Sequence, residues 1–153
     1  MANAALVDAN ILVYTMDESE PAKLERSLQV LDELRSRRLG VLSTQILAEF
    51  FSAVTRRIKN PVPAQDAEAQ LTAYSQTFPV YDITLPIVLE AARGTTQHQM
   101  SYWDAQVWAT AKLNQIPYIL TENMQGHDTL EGVRFLNPLS RDFDLQVVIR
   151  RRG

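Results

Sequence analysis

Three acidic residues, spread over almost a hundred positions, are the side chains best suited to chemistry. They are Asp8, Glu49 and Asp104. Asp8 directly follows the apolar run 4–7, and Glu49 lies one to two turns into an amphipathic helical pattern. Both have ordinary structural explanations, because Asp is a good helix N-cap and the position of Glu49 suits solvent exposure. Taken singly, neither residue indicates a function.

Asp104 is harder to explain structurally. It completes the spacing of a capping box with Ser101. However, it shares a helix face with Val107, Trp108 and Ala111, which are apolar. A charge directed along a buried stripe is costly unless it is paired or bound to a metal, and a helix N-terminus keeps a carboxylate ionised. We therefore place a functional role for Asp104 ahead of a capping role.

Polar residues accompany these acids at the same kind of position. Asn10 follows Asp8 by two residues, where it can orient the carboxylate or a water. Thr121, Glu122 and Asn123 directly follow a later apolar run. The Thr121 hydroxyl can hold a carboxylate or a water, and Glu122 and Asn123 offer further oxygen ligands. The sequence thus predicts acids and polar helpers on one edge of a sheet.

Clustered carboxylates need a cation or shared protons at neutral pH. The chain has no cysteine and two histidines, His98 and His127, which form no spaced pair. A zinc site of the usual nitrogen and sulfur type is therefore excluded. Oxygen ligands favour Mg²⁺ or Mn²⁺, and such an ion activates water and neutralises a phosphate under attack.

Composition favours one globular domain. The chain has 153 residues, 46% of them hydrophobic and 22% charged. It has no apolar run of the roughly 18 residues that a membrane helix needs and no secretory signal pattern, so we expect no membrane association and a cytoplasmic location. The absence of cysteine fits that reducing compartment.

The net charge of −3 excludes a broad positive field for nucleic acid. Any contact with phosphates must come from local basic clusters or a bound metal. We interpret the first two clusters as solvated helix ends. The three clusters are Arg35, Arg37 and Arg38; Arg56, Arg57 and Lys59; and the terminal Arg150, Arg151 and Arg152.

Short apolar strands alternate with helical patterns along the chain. Strands are predicted at 4–7, 41–43, 80–83, 117–120 and 133–136, and helices from 9 and at 21–38, 46–58, 64–78, 84–93 and 101–114. Thr44 is the expected cap of the third helix, and Gly94 the expected end of the helix that begins at Thr84. This alternation predicts an α/β fold with a mainly parallel sheet, in which ligands bind at the carboxyl ends of the strands.

Four segments, in this order and spacing, resemble the PIN-domain family, specifically short bacterial toxins of the VapC type. They are residues 6–12, 43–50, 101–105 and 119–124, followed by the strand at 133–138. The resemblance covers about residues 4–138. We therefore divide the chain into a PIN-like nuclease domain, residues 1–138, and a C-terminal extension, residues 139–153.

The resemblance implies a three-layer α/β/α sandwich and hydrolysis of RNA phosphodiesters with Mg²⁺ or Mn²⁺. It also implies a homodimer and inhibition by a cognate antitoxin protein. Carried over by position, Asp8, Glu49 and Asp104 are the metal-binding acids, and Asn10 and Thr121 are their polar supports. The metal would activate a water for in-line attack on the phosphate.

Two regions depart from the family pattern. Many relatives carry Asp where this chain has Asn123, which offers an oxygen but no charge, so one or two metals remain possible. Glu122 is the neighbouring acid that would compensate. The tail, residues 145–153, lies beyond the match and is an added edge strand, a dimer contact or an RNA-binding tail.

Other functions stay open at this point. A catalytically impaired PIN-like module that binds RNA or protein is favoured by Asn123. A phosphohydrolase of the haloacid-dehalogenase kind would use Asp8 as nucleophile, but it needs an acid where Asn10 stands. A nucleotide switch lacks its glycine-rich phosphate loop. A DNA-cutting relative of the flap-nuclease kind lacks its additional acidic ligands and insertions.

Overall fold

A computed structural model describes residues 3–124 and 128–149, and within them six strands form one sheet. The order of the strands across the sheet is β3-β2-β1-β4-β6-β5. The strands are β1 (Ala5–Val7), β2 (Gly40–Ser43), β3 (Val80–Tyr81), β4 (Tyr118–Leu120), β5 (Thr129–Leu130) and β6 (Val133–Leu136).

Helices connect β1 to β2, β2 to β3 and β3 to β4, as crossovers between parallel strands commonly do. Five of the six strands run parallel, and β5 alone pairs antiparallel with β6 at the edge. The predicted α/β/α fold with a mainly parallel sheet is confirmed. The helices are α1 (Ala9–Tyr14), α2 (Pro21–Arg37), α3 (Thr44–Arg56), α4 (Ala64–Thr77), α5 (Leu85–His98), α6 (Tyr102–Leu113) and α7 (Gln146–Ile149).

The centre of the sheet carries the core. Leu6 in β1 and Ile119 in β4 are fully buried and lie opposite each other in the register. A strand covered on both faces needs apolar residues at successive positions, which explains the continuous apolar runs in the sequence. Among residues 3–124 and 128–149, no helix combines the length and the apolar character needed to cross a membrane.

The start of α3 corrects one sequence prediction. Ser43, rather than Thr44, caps the helix, because the Ser43 hydroxyl accepts a hydrogen bond from the Ile46 amide at 3.2 Å. Thr44 is the first helical residue, and its hydroxyl accepts from the Ile83 amide at 3.2 Å. Both residues carry a hydroxyl, so the choice depends on where the extended backbone of β2 ends.

The end of α5 corrects a second prediction. Gly94 does not end the helix, which continues to His98 and is followed by Gln99 at φ 58°. Gly94 lies where α5 meets α6, and a Cβ added there would stand 2.9 Å from Cζ3 of Trp108. The glycine therefore permits close packing of two helices, and this long-range reason is invisible in local sequence.

Of the three alternatives for the tail, an edge strand does not form within residues 145–149, where Gln146–Ile149 is the helix α7. Val148 of α7 is fully buried, and the Tyr118 hydroxyl donates to the Val147 carbonyl at 3.1 Å. The edge position belongs to β5 instead. The terminal arginines 150–152 and His127 lie outside the described residues, and the division at residue 138 stays a prediction.

Candidate active site

Asp8 lies between the end of β1 and the start of α1. Its amide donates to the Leu120 carbonyl at 2.9 Å, which ties it to the neighbouring strand β4. Its Oδ1 accepts from the Ala9 amide at 2.8 Å, so it also caps α1. With 7% of its surface exposed, Asp8 is held rigidly at the carboxyl edge of the sheet.

Thr121 and Asn10 hold the second oxygen of Asp8. The Thr121 hydroxyl donates to Asp8 Oδ2 at 2.8 Å. Asn10 Nδ2 donates to Thr121 Oγ1 at 3.0 Å and reaches Asp8 Oδ2 at 3.4 Å. The amide of Glu122 in turn donates to Asn10 Oδ1 at 3.3 Å. The structure thus places both expected supports against the Asp8 carboxylate.

The pKa of Asp8 reflects this environment. Burial, as the largest cause, raises the pKa from 3.8 to about 6. The hydrogen bonds from Thr121 and from the Ala9 amide lower it, and the negative charges of Glu49 and Asp104 raise it further. Three acids from distant parts of the chain therefore share one electrostatic environment.

Glu49 and Asp104 are each fixed by a helix. Glu49 is half-buried on α3, and its Oε1 accepts from Gln45 Nε2 at 2.9 Å. Asp104 is half-buried in the first turn of α6, whose N-cap is Ser101. The dipole of α6 favours a negative charge at this end of the helix.

The three acids open onto one cavity of about 480 Å³. Asn10 and Asn123 lie on the same wall, so five of the seven predicted site residues are brought together there. Thr121 sits behind Asp8 as its support. Other lining residues that the sequence did not single out for the site include Tyr14, Arg57, Lys59 and Trp103.

Glu122 does not line this cavity. The Tyr14 hydroxyl donates to Glu122 Oε1, and Lys23 Nζ lies 2.9 Å from Glu122 Oε2. Asn123 is the residue that lines the cavity, and its backbone amide donates to Thr121 Oγ1 at 3.3 Å. The charge of Glu122 is therefore committed to Lys23 and does not replace the charge that Asn123 lacks.

The oxygen atoms at this cavity suit a metal ion held in an open site. Among residues 3–124 and 128–149, no three acidic or imidazole side chains lie close enough together to hold one ion. The acids border a common cavity rather than form a closed cage. Mg²⁺ in proteins keeps several waters and is bound by one or two carboxylates together with substrate phosphates. Carboxylate and amide oxygens on the wall of an open cavity of this size fit that mode of binding.

A buried amide network was not anticipated from the sequence. Gln106 Nε2 donates to Gln45 Oε1 at 3.0 Å, and the Tyr102 hydroxyl donates to Gln106 Oε1 at 2.8 Å. Gln45 Nε2 also donates to the Trp103 carbonyl at 3.1 Å. The available signal was that Gln45 precedes Glu49 by four residues, which puts both on one helix face. The network connects α3 to α6 and orients Glu49.

The second basic cluster is exposed at the end of α3, as interpreted from the sequence, and two of its members also line the cavity. Arg57 and Lys59, which follow α3, line the cavity, whereas Arg56 does not. Both side chains are exposed. Two positive charges therefore stand at the rim of a negatively charged wall, where a phosphate group would meet them.

Comparisons with known proteins identify the fold. The sequence profile of the PIN domain matches residues 5–127. No curated protein matches the chain significantly by sequence.

Solved structures are similar over most of the chain. VapBC2 from Rickettsia felis, bound to a promoter DNA fragment, is 15% identical over 88% of this chain and 98% of that chain, with a TM-score of 0.66. A toxin–antitoxin complex from Klebsiella pneumoniae is 18% identical, covering 88% and 98%, with a TM-score of 0.64. VapC20 from Mycobacterium tuberculosis, a toxin that cleaves the sarcin–ricin loop, is 16% identical, covering 80% and 92%, with a TM-score of 0.62. At these identities the likeness shows the fold.

Proposed function

The chain belongs to the PIN-domain family, and from that membership we propose that it is a metal-dependent endoribonuclease, the toxin of a type II toxin–antitoxin pair. One observation carries the proposal: Asp8, Glu49 and Asp104 border one cavity at the carboxyl edge of the sheet. We assign Mg²⁺ or Mn²⁺ to this wall, bound directly by one or two of these acids and through waters by the remaining acid and by Asn123. We leave Glu122 out because it is paired with Lys23.

The similar structures support the biological class. Two are toxin–antitoxin complexes, and a third is a toxin that cleaves the sarcin–ricin loop. From these structures we infer that RNA is the substrate of this chain and that an antitoxin protein covers its site. The proposal includes a homodimer, which the family resemblance supports. It also includes a cytoplasmic location, which the absence of cysteine fits.

The chemistry divides between the ion and the side chains. Bound at this wall, Mg²⁺ or Mn²⁺ would lower the pKa of a water and neutralise the phosphate under attack. Thr121 and Asn10 orient the Asp8 carboxylate, and Gln45 orients that of Glu49. Arg57 and Lys59 lie where they attract the substrate phosphate.

The direct test is cleavage of structured RNA by the purified protein with Mn²⁺. The matched control is Asp8→Asn, which keeps the shape of the side chain and removes its charge. We expect the variant to lose roughly 100-fold or more in rate, and chelation by EDTA to stop the wild type. Cleavage at equal rates by both proteins would contradict the assignment of Asp8.

A second function has one observation in its favour. Asn123 faces the cavity with an uncharged amide, which fits a catalytically impaired module that binds RNA or protein through the same surface. The same assay separates the two, because this module would show no metal-dependent cleavage by either protein while still binding RNA.

A further inference from the structure

A second cavity adjoins the acidic one, and its lining combines an indole ring with hydroxyl, amide and guanidinium groups. Its volume is about 760 Å³, within the range of small-molecule pockets. Glu49, Arg57 and Trp103 line both cavities, so the two share a wall. The remaining lining residues of the second cavity are Thr44, Gln45, Ala48, Ser52, Ile83 and Gln106.

Trp103 is an exposed aromatic side chain held in place. It is 62% exposed, whereas the other tryptophan, Trp108, is fully buried. Its ring packs edge-to-face on Tyr102, with centroids 5.1 Å apart and planes at 84°. The Tyr102 hydroxyl is in turn bound to Gln106. A large ring that is oriented by its neighbours but left open to solvent suits a stacking surface.

Arg57 supplies a positive charge to the same two cavities that Trp103 lines. In the parts of the chain that the structure describes, 3–124 and 128–149, its guanidinium makes no ion pair or hydrogen bond. It stands at the shared wall, between the acidic cavity and the second cavity. An uncommitted guanidinium next to a phosphate-handling site and an exposed indole matches a nucleotide, with its phosphate on one side and its base on the other.

We propose that the second cavity binds an unpaired nucleobase of single-stranded RNA, stacked on Trp103, next to the phosphate held at the acidic cavity. The inference rests on the proposed ribonuclease function and adds to it a base-binding subsite at Trp103 of this chain. Any base offers a face for stacking. The exposed hydroxyls of Thr44 and Ser52 on the same wall can meet the edge of the base.

Tryptophan fluorescence tests the proposal without cleavage. A short oligouridylate is titrated into the full-length protein in EDTA. We expect saturable quenching in the wild type, because a stacked base covers Trp103. In Trp103→Phe, the remaining emission comes from buried Trp108 and stays unchanged. Absence of quenching in the wild type up to millimolar oligonucleotide would overturn the proposal.

Affinity variants separate stacking from other contacts. By anisotropy of labelled oligouridylate, we expect Trp103→Ala to bind about tenfold or more weakly and Trp103→Phe to stay within about threefold of the wild type. Leu89→Ala is the matched control, since Leu89 is also 62% exposed and lines neither cavity. It is expected to bind like the wild type. Unchanged binding by Trp103→Ala would exclude stacking.

Two further probes identify the ligand class. An abasic oligonucleotide is expected to bind about as weakly to the wild type as oligouridylate binds to Trp103→Ala. A hexaglutamate peptide is expected to leave Trp103 emission unchanged. Tight binding of the abasic strand, or equal quenching by the peptide, would show a general anion-binding groove and overturn the assignment to a nucleobase.

The proposed function and this inference fail in different ways. Metal-dependent RNA cleavage by the wild type and equally by Trp103→Ala, with equal KM, would sustain the nuclease and reject the stacking site. Absence of metal-dependent cleavage would reject the nuclease, while the fluorescence titration in EDTA would still decide whether a base stacks on Trp103.

Discussion

Catalysis and stability make opposite demands on Asp8. Metal binding needs its carboxylate charged, whereas burial of that charge destabilises the metal-free fold. Its pKa is raised to about 6, so the folded protein binds this proton more tightly than the unfolded chain does. Stability associated with Asp8 is therefore fully present below about pH 3.8 and is lost as pH rises towards 6. Above that window the ionised carboxylate costs the metal-free fold about 1–3 kcal/mol.

This cost predicts that Asp8→Asn stabilises the metal-free protein while it removes activity. In urea unfolding with EDTA at pH 7.5, the variant is expected to be more stable by about 1–3 kcal/mol. Near pH 4 the difference should disappear, since Asp8 is then protonated in the folded state. A variant equal to or less stable than the wild type at pH 7.5 would show that burial does not penalise this charge.

At the scale of the element, the packing of α5 on α6 sets where Asp104 stands. Gly94 of α5 faces Trp108 of α6, whose Nε1 donates to the Leu130 carbonyl at 3.1 Å. The ring is thus anchored on its other side and has little freedom to move away. The two helices meet this closely because position 94 carries no side chain.

We predict that Gly94→Ala destabilises the protein, although alanine favours a helix. The added Cβ would lie 2.9 Å from the Trp108 ring, and overpacking of this kind costs about 1–3 kcal/mol against about 1 kcal/mol gained in helix propensity. Thermal unfolding should show a lower Tm. Gln97→Ala, an exposed change on the same helix, should stay within about 0.5 kcal/mol of the wild type. Equal stability of the two variants would contradict the close contact.

The sequence was most informative about elements with strong local patterns. Buried strands read as apolar runs, and the polar residues that follow them, Asp8 and Thr121, could be placed at one edge from topology alone. Features set by distant contacts were not predictable. Gly94 lies inside α5 because it packs against Trp108, which is distant in sequence. Arg57 lines the cavity because of the path that the chain takes after α3. The buried pair Gln45 and Gln106 bond across 61 positions.

At the scale of the whole molecule, an acidic protein must bind RNA through few phosphate contacts. The net charge is −3, and Arg57 and Lys59 are the two cations at the acidic cavity among the described residues. Affinity then comes from the metal, from these two charges and from stacking rather than from a broad positive surface. Such binding responds only weakly to salt.

The salt dependence of RNA binding therefore follows from the number of contacts. For oligouridylate in EDTA, two phosphate contacts predict a slope of log K against log salt of about −1.4, and Arg57→Ala should reduce it by about 0.7. Anisotropy titrations over a range of KCl concentrations provide both values. A slope near −3.5 would require about three more contacts, as the terminal arginines 150–152 would provide, and would contradict binding through the cavity alone.

The most direct measurement is a crystal structure of the protein soaked in Mn²⁺, with anomalous differences recorded at the manganese edge. We predict a peak in the acidic cavity, at about 2.2 Å from an oxygen of Asp8 and from at least one oxygen of Glu49 or Asp104. Crystals whose anomalous map is empty at this wall, while the same acids point away from one another, would contradict the account.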